Sequence, residues 1–316
     1  MNDSVPVDAM LQPAGPVAQA IAEIAWVLIV GGSLVFALVM AALVWALRRR
    51  RPAADAGPRH ALGWIVGAGV VCPIVLLSAL LAYSVWRTRD MTPPRDPQEP
   101  VISVTGHLWW WEVRYRDPVR GTDVVLANEI HLPAGRSVLI SVTSHDVIHS
   151  FWVPALAGKV DMVPGRVHQL RLQADQAGVY RGQCAEFCGE QHARMALQVV
   201  VHEPEAFGRW LAAQAQPAVT PREGLALRGA QLFAEQRCSA CHSVRGLGPD
   251  ASIGPDLTHV GSRLHLAAGT LPMNEASLRA WLADPQRSKP GARMPSYDRL
   301  DDASLTALAA FLWQLR

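Results

Sequence analysis

Hydrophobic and polar positions follow three different patterns in succession along the chain. Ile24 to Leu47 is uncharged throughout, and Ala61 to Trp86 is a second uncharged run. At about 1.5 Å per helical residue, each can cross a hydrocarbon core of about 30 Å, which predicts two transmembrane helices. Pro93, Pro94, Pro97 and Pro100 then form a stiff exit, after which the period becomes two: Val138, Ile140 and Val142 alternate with Leu139, Ser141 and Thr143. Similar short runs occur at 101–104, 112–115, 124–132, 167–172 and 196–201, separated by Gly and Pro, so a small antiparallel all-β sandwich or barrel is expected. Residues 204–221 are rich in Ala, Gln and Pro and read as a flexible linker opening on a short helix around 206–215. Helical spacing follows at Leu225, Gly229, Leu232 and Phe233, and again at Leu305, Leu308, Leu312 and Leu315 after the N-cap candidates Asp301 and Asp302. The last helix should pack across the first at Gly229. The predicted organisation is a flexible lead (1–20), a helical hairpin (21–90), a β domain (91–203), the linker (204–221) and an α domain (222–316).

Charge sets the topology. Arg48 to Arg51 lie between the two apolar runs and belong on the cytoplasmic side by the positive-inside rule, so both chain ends are expected outside. Trp26, Trp45, Trp64 and Trp86 stand near the ends of the runs, where amphipathic rings favour the interface. The lead carries Asp3 and Asp8 but no Lys or Arg, and the basic residues follow the first apolar run, the reverse of a cleaved signal peptide. A net charge of only +2 over 316 residues gives no reason to expect a nucleic-acid surface.

The chemistry concentrates in the stretch from Gly182 to Met195. Cys184, Cys188, His192 and Met195 place two thiols, an imidazole and a thioether in one short loop, a soft donor set that favours copper over calcium or magnesium. A further imidazole is wanted, and His149, closing a strand-like run upstream, is the candidate. Two Cys and two His would satisfy tetrahedral zinc and leave Met195 idle. A single blue copper would leave one Cys over, whereas two coppers bridged by both thiolates employ every donor. A reduced buried pair or a disulfide is the bland alternative. Cys72, in the second apolar run, reads as a small buried hydrophobe.

The loop and the His149 segment resemble cytochrome c oxidase subunit II. That resemblance implies a cupredoxin fold and binuclear copper A on His149, Cys184, Cys188 and His192, with Met195 and the Glu186 carbonyl as weak outer ligands. It further implies that the Glu186 carboxylate reaches a magnesium ion shared with subunit I, and that electrons enter at Trp109 of Gly106-His107-Leu108-Trp109-Trp110-Trp111. Three consecutive Trp cannot all face one side of a strand, and ordinary packing is the expectation for Trp110 or Trp111. Many relatives carry a Glu near the cytoplasmic start of the second helix, linked to proton uptake. Here that segment is Arg59-His60-Ala61-Leu62-Gly63-Trp64, which departs from that pattern in having no carboxylate and offers only His60 in its place.

Cys238-Ser239-Ala240-Cys241-His242 is the Cys-x-x-Cys-His signature of covalent c-type haem: two thioethers to the vinyl groups and an axial imidazole. A zinc knuckle would need a second Cys or His pair, and a thioredoxin-like motif a βαβ setting. Met294, in the Pro-rich loop 289–297, is the expected sixth ligand, with Met273 and His259 as rivals. Residues 222–316 resemble class I cytochrome c.

The whole then resembles subunit II of a caa-type haem-copper oxidase. This implies a bacterial inner-membrane protein with its N-terminus and C-terminal domains in the periplasm. Electrons would pass from an external donor, cytochrome c or quinol-cytochrome c reductase, through haem c and copper A to subunit I, which reduces oxygen and pumps protons. Nitrous oxide reductase, which shares copper A, would need a further catalytic domain; a relay subunit of another terminal reductase, such as a nitric oxide reductase, would carry the same ligands. Residues 101–202 hold nine acidic and nine basic side chains, so no acidic face for steering a separate donor is evident.

Overall fold

The computed structural model describes residues 12–48, 58–91, 100–116, 123–248 and 251–316. Residues 1–11 of the predicted lead, Arg49 to Arg51, the His60 side chain, and Pro93, Pro94 and Pro97 lie outside the described residues. The chain forms two compact units, one of residues 19–94 and one combining the residues before 19 with those from 95 onward.

In the first unit, helix α1 (Pro16–Arg48) carries the first apolar run. The second is borne by α2 (Pro58–Val66), a π turn (Gly67–Val71) and α3 (Cys72–Thr88). Pro73 accounts for the π turn. It has no N–H and its ring crowds the carbonyl four residues back, so the preceding turn widens and Cys72 N–H donates to Gly67 O, five residues back. Leu38 and Leu77 are 70% and 65% exposed, as side chains facing lipid must be. Arg87 pairs with Glu23, which closes the hairpin with the start of α1 and the end of α3 at the same end.

Helix α1 begins at Pro16, at a position where the missing N–H costs nothing. The residues just before it are not a free lead: Ala14 N donates to Ala155 O at 2.7 Å, and Asp175 N donates to Ala14 O at 2.9 Å.

The second unit opens with a ten-stranded sandwich: β1 (Val101–His107), β2 (Trp110–Arg116), β3 (Asp123–Ala127), β4 (Glu129–Pro133), β5 (Val138–Ser144), β6 (His149–Trp152), β7 (Val160–Met162), β8 (His168–Leu172), β9 (Gly178–Cys184) and β10 (Ala196–His202). One sheet runs β3-β2-β1-β5-β8 and the other β4-β10-β9-β6-β7. The expected wholly antiparallel arrangement is corrected here, because β1 pairs with β5 and β4 with β10 in parallel. The single run foreseen at 124–132 is two strands. Asn128, at φ 62° in the left-handed region that Asn tolerates, turns the chain from one sheet to the other while its Oδ1 accepts from Trp111 N at 2.9 Å. Val138, Ile140 and Val142 are buried as predicted, against a core including Trp111, Ile130, Phe151 and Leu197.

Residues 204–221 open on the short helix expected around 206–215. Helix α4 (Pro204–Gln214) lays Trp210 on His131, with rings 3.9 Å apart and nearly parallel, and edge-on to Tyr115. Beyond it, Arg245 Nη2 donates to Gln214 O at 2.6 Å, and His259 Nε2 lies 3.0 Å from Gln216 O.

The last segment is helical: α5 (Gly224–Glu235), α6 (Glu275–Ala283), α7 (Pro285–Ser288) and α8 (Asp302–Gln314). Helices α5 and α8 meet at Gly229, where a Cβ would stand 2.0 Å from Ala307 O, so only glycine permits this approach. Asp301 caps α8 by accepting from Ser304 N at 2.8 Å, and Leu305, Leu308, Leu312 and Leu315 are all buried.

Candidate metal and haem sites

The loop 185–195 joins β9 to β10 and is drawn tight by Cys184 N donating to Met195 O at 2.9 Å. Strand β6 pairs with β9 so that Phe151 faces Cys184, and His149, two residues earlier on β6, arrives beside the loop. The Sγ atoms of Cys184 and Cys188 are 3.8 Å apart. His149 Nδ1 lies 3.9 Å from Cys184 Sγ, His192 Nδ1 lies 3.7 Å from Cys188 Sγ, and Met195 Sδ lies 3.8 Å from Cys188 Sγ. The Glu186 carbonyl is 3.1 Å from Cys184 Sγ. His149, Cys184, Cys188 and Met195 are buried, and His192 and Glu186 half-buried.

A disulfide, at about 2.05 Å, is far from the observed sulfur separation. Bonds of roughly 2.3 Å to sulfur and 2.0–2.1 Å to nitrogen, meeting at near-tetrahedral angles, separate two sulfurs by about 3.8 Å and a sulfur from a nitrogen by about 3.5 Å. The donor set fits shared metal in that sense, and Met195 is aimed into it. Without metal, the shared hydrogen bond with Cys188 pulls Cys184 down and pushes Cys188 up, so the pair retains a proton that metal would displace.

Asp146 holds His149 from behind. Its Oδ1 lies 2.8 Å from His149 Nε2, leaving Nδ1 for the sulfurs, while its other oxygen accepts from Leu108 N at 2.8 Å. Burial works against charge on His149, but Cys184 and Asp146 raise its pKa overall. Gly106 is required beside this imidazole, since a Cβ there would stand 2.8 Å from His149 Cδ2. Sequence reasoning passed over Asp146, whose signal was its place three residues before His149.

Trp110 and Trp111, on β2, turn to opposite faces as pleating demands, while Trp109 lies in the turn before the strand. Trp111 is fully buried, edge-on to Phe151, and Trp110 stacks on His107. Trp109 is half-buried, with its indole Nε1 donating to Cys188 O at 2.9 Å. Its ring is bracketed by two glycines at positive φ: Cβ atoms would stand 3.2 Å away at Gly189 and 3.3 Å away at Gly291. Gly291 lies in the Met294 loop. In that loop, Lys289 is also buried; burial pulls its pKa down to about 7, and sequence reasoning gave it no role.

At the second site, Cys238–Ala240 form a 3-10 turn that carries the chain into Cys241 and His242. His242 Nδ1 lies 2.7 Å from Pro255 O, which makes it the N–H donor and leaves the Nε2 lone pair for a metal. Burial lowers its pKa and so favours the neutral ligand form. Gly254 is needed here, because a Cβ would stand 2.7 Å from His242 Cε1. Tyr297, pushed up to about 12 by burial, packs in one apolar cluster with Cys238, so the loop bearing Met294 returns to the Cys-x-x-Cys segment. Met294 and Cys238 pack against the same apolar cluster, as does Met273, while His259 is engaged with Gln216 O.

Comparison with known proteins gives a family for each of the two segments that carry these residues. The family described as "Cytochrome C oxidase subunit II, periplasmic domain" matches residues 118–202, and the family described as "Cytochrome c" matches residues 226–316. Cytochrome c oxidase subunit 2 of Alkalihalophilus pseudofirmus is 36% identical, over 97% of this chain and 90% of the relative. The Bacillus subtilis protein of the same name is 29% identical, over 98% and 92%. Among solved structures, the periplasmic domain of subunit II of cytochrome oxidase of Bradyrhizobium japonicum aligns at 30% identity over 39% of this chain and 96% of that chain, with a TM-score of 0.35.

Proposed function

Because the chain belongs to the cytochrome c oxidase subunit 2 family, we propose that it serves as the electron-receiving subunit of a caa-type haem-copper oxidase. His149, Cys184, Cys188, His192, Met195 and the Glu186 carbonyl would hold copper A; Cys238 and Cys241 would anchor haem c, with His242 and Met294 as its axial ligands. When bound, these groups supply reversible one-electron chemistry, by which electrons from an external donor, cytochrome c or quinol-cytochrome c reductase, reach subunit I for proton-pumping oxygen reduction. The chain's own residues create the setting. Asp146 and Pro255 O orient the two imidazoles, burial keeps water from the sulfurs, and Trp109 joins the Met294 loop to Cys188. The Glu186 carboxylate would reach a magnesium ion shared with subunit I.

The hairpin places the start of α1 and the end of α3 together and Arg48 at the opposite end. With Arg48 cytoplasmic, the sandwich and the haem-bearing domain face the periplasm of a bacterial inner membrane.

The observation that carries the reading is the pair of buried sulfurs 3.8 Å apart with an imidazole beside each. Metal analysis and paramagnetic spectroscopy of the purified complex test it. Two coppers per chain in a delocalised mixed-valence pair are expected; one zinc, or a single-copper spectrum, would refute it. Haem types and oxygen consumption of the same complex separate an oxidase from a nitric oxide reductase.

A further inference from the structure

The buried ammonium of Lys289 spends its donors on three backbone carbonyls: Trp109 O at 2.6 Å, Arg194 O at 3.1 Å and Ala267 O at 3.2 Å. It is 4% exposed, and among the described residues no carboxylate forms an ion pair with it. Trp109 and Arg194 belong to the sandwich: the first is bonded to Cys188 O of the sulfur loop, and the second lies in that loop next to Met195. Ala267 belongs to the haem-bearing segment, as Lys289 does. The contact is reciprocal, since Arg194 Nη1 donates to Ser288 O at 2.9 Å and Ala196 N donates to Ala268 O at 3.0 Å. Two residues beyond Lys289, Gly291 meets the Trp109 ring.

We propose that Lys289 is a positioning residue, a clamp that registers the haem-bearing domain on the copper loop so that the Met294 loop meets Trp109 in one orientation. This rests on the reading that electrons cross between these domains. An apolar patch tolerates sliding, but an ammonium removed from water is costly unless all its hydrogens find acceptors. Three carbonyls converging from two domains satisfy it in this register; a shifted or rotated one strands the charge. The clamp therefore contributes uniqueness of orientation more than strength of association. The domain is held this way without the acidic face that would steer a separate donor, and without the flexible tether that the linker composition suggested.

Lys289→Met in the complete oxidase removes the charge and keeps the length of the side chain. The expected result is normal copper and haem content and spectra, and an unchanged KM for the external donor. Intramolecular haem-to-copper transfer and kcat fall by roughly ten- to hundredfold, the scale of a misplacement of about 1 Å. Dipolar spectroscopy between the oxidised haem and the copper pair then reports a broadened distance distribution. An unchanged distribution overturns the clamp. A broadened distribution with an unchanged transfer rate leaves the clamp and overturns the electron-transfer reading. Should Lys289→Met fail to assemble, Arg194→Ala, which removes only the reciprocal bond to Ser288, must broaden the distribution in the same direction, and failure to do so likewise overturns the proposal.

Discussion

Trp109 Nε1 and the carbonyl oxygen of Cys188 are joined by a 2.9 Å hydrogen bond that fixes one edge of the indole to the backbone of the sulfur loop. The ring's other edge touches the Met294 loop at Gly291. Trp109→Phe preserves an aromatic ring but has no donor to hold it. Haem-to-copper transfer in flash experiments should slow by roughly tenfold, within the penalty of up to about a hundredfold that misplacing a reacting partner by about 1 Å carries. Both centres should keep their spectra. A spectral change at copper would instead show that the indole helps to shape the metal loop.

Copper content divides the ligands into two classes. On the proposed reading each thiolate is shared between two coppers, and the two sulfurs stand 3.8 Å apart, so Cys184→Ser or Cys188→Ser should abolish the binuclear signal. Met195→Leu replaces a buried thioether with an apolar side chain of similar volume. Copper should stay bound at full stoichiometry while its reduction potential shifts, as for a weak axial ligand. Loss of metal from the Met195 variant, measured by elemental analysis, would mean that the thioether is a primary ligand.

What could be read from the chain alone divides along physical lines. The apolar runs were legible because lipid demands continuous hydrophobicity, and the sulfur loop because its donors are almost contiguous. The parallel pairing of β1 with β5 was not legible, since a period of two reports which face is buried and says nothing of the partner strand. The short helix at the start of residues 204–221 was legible, but its docking was not, because the decisive contact is the stacking of Trp210 on His131, a tertiary event. Lys289 carries no signal in the sequence beyond its place in a Pro-rich loop. Its role depends on three carbonyls far away in sequence, which composition cannot show.

Acid should loosen the sandwich where that linker helix docks. His202 Nε2 lies 2.8 Å from His131 Nδ1, and the pKa of His202 is lowered from 6.5 by burial and then by the neighbouring His131. A histidine with a depressed folded pKa takes its proton in the unfolded chain first. Its contribution is therefore fully present above 6.5 and is lost as pH falls from 6.5 toward the folded value. The denaturation midpoint of the full chain should drop over that window. His202→Phe keeps a ring for Trp210 and removes the proton site, so its midpoint should be lower at neutral pH but flatter below 6.5. An equally steep decline in the variant would assign the acid sensitivity to other groups.

Removing haem attachment tests whether the fused domain is an obligatory station. In Cys238→Ala with Cys241→Ala, the thioethers cannot form, while the sulfur loop and its backing by Asp146 are untouched. Copper content and spectrum should persist. Oxygen consumption with the physiological donor should fall to background, because the haem-bearing domain meets the sandwich beside Trp109 through Lys289, Arg194 and Gly291 and so covers part of the approach to the indole. Met294→His refines the result: attachment survives, but exchange of thioether for imidazole should lower the haem potential, which disfavours reduction of the haem by the external donor while favouring onward transfer to copper. Oxygen consumption undiminished in the double-Ala protein would show that electrons reach copper by another face of the sandwich, and the docked domain would then have to serve as a cover and not as a conductor.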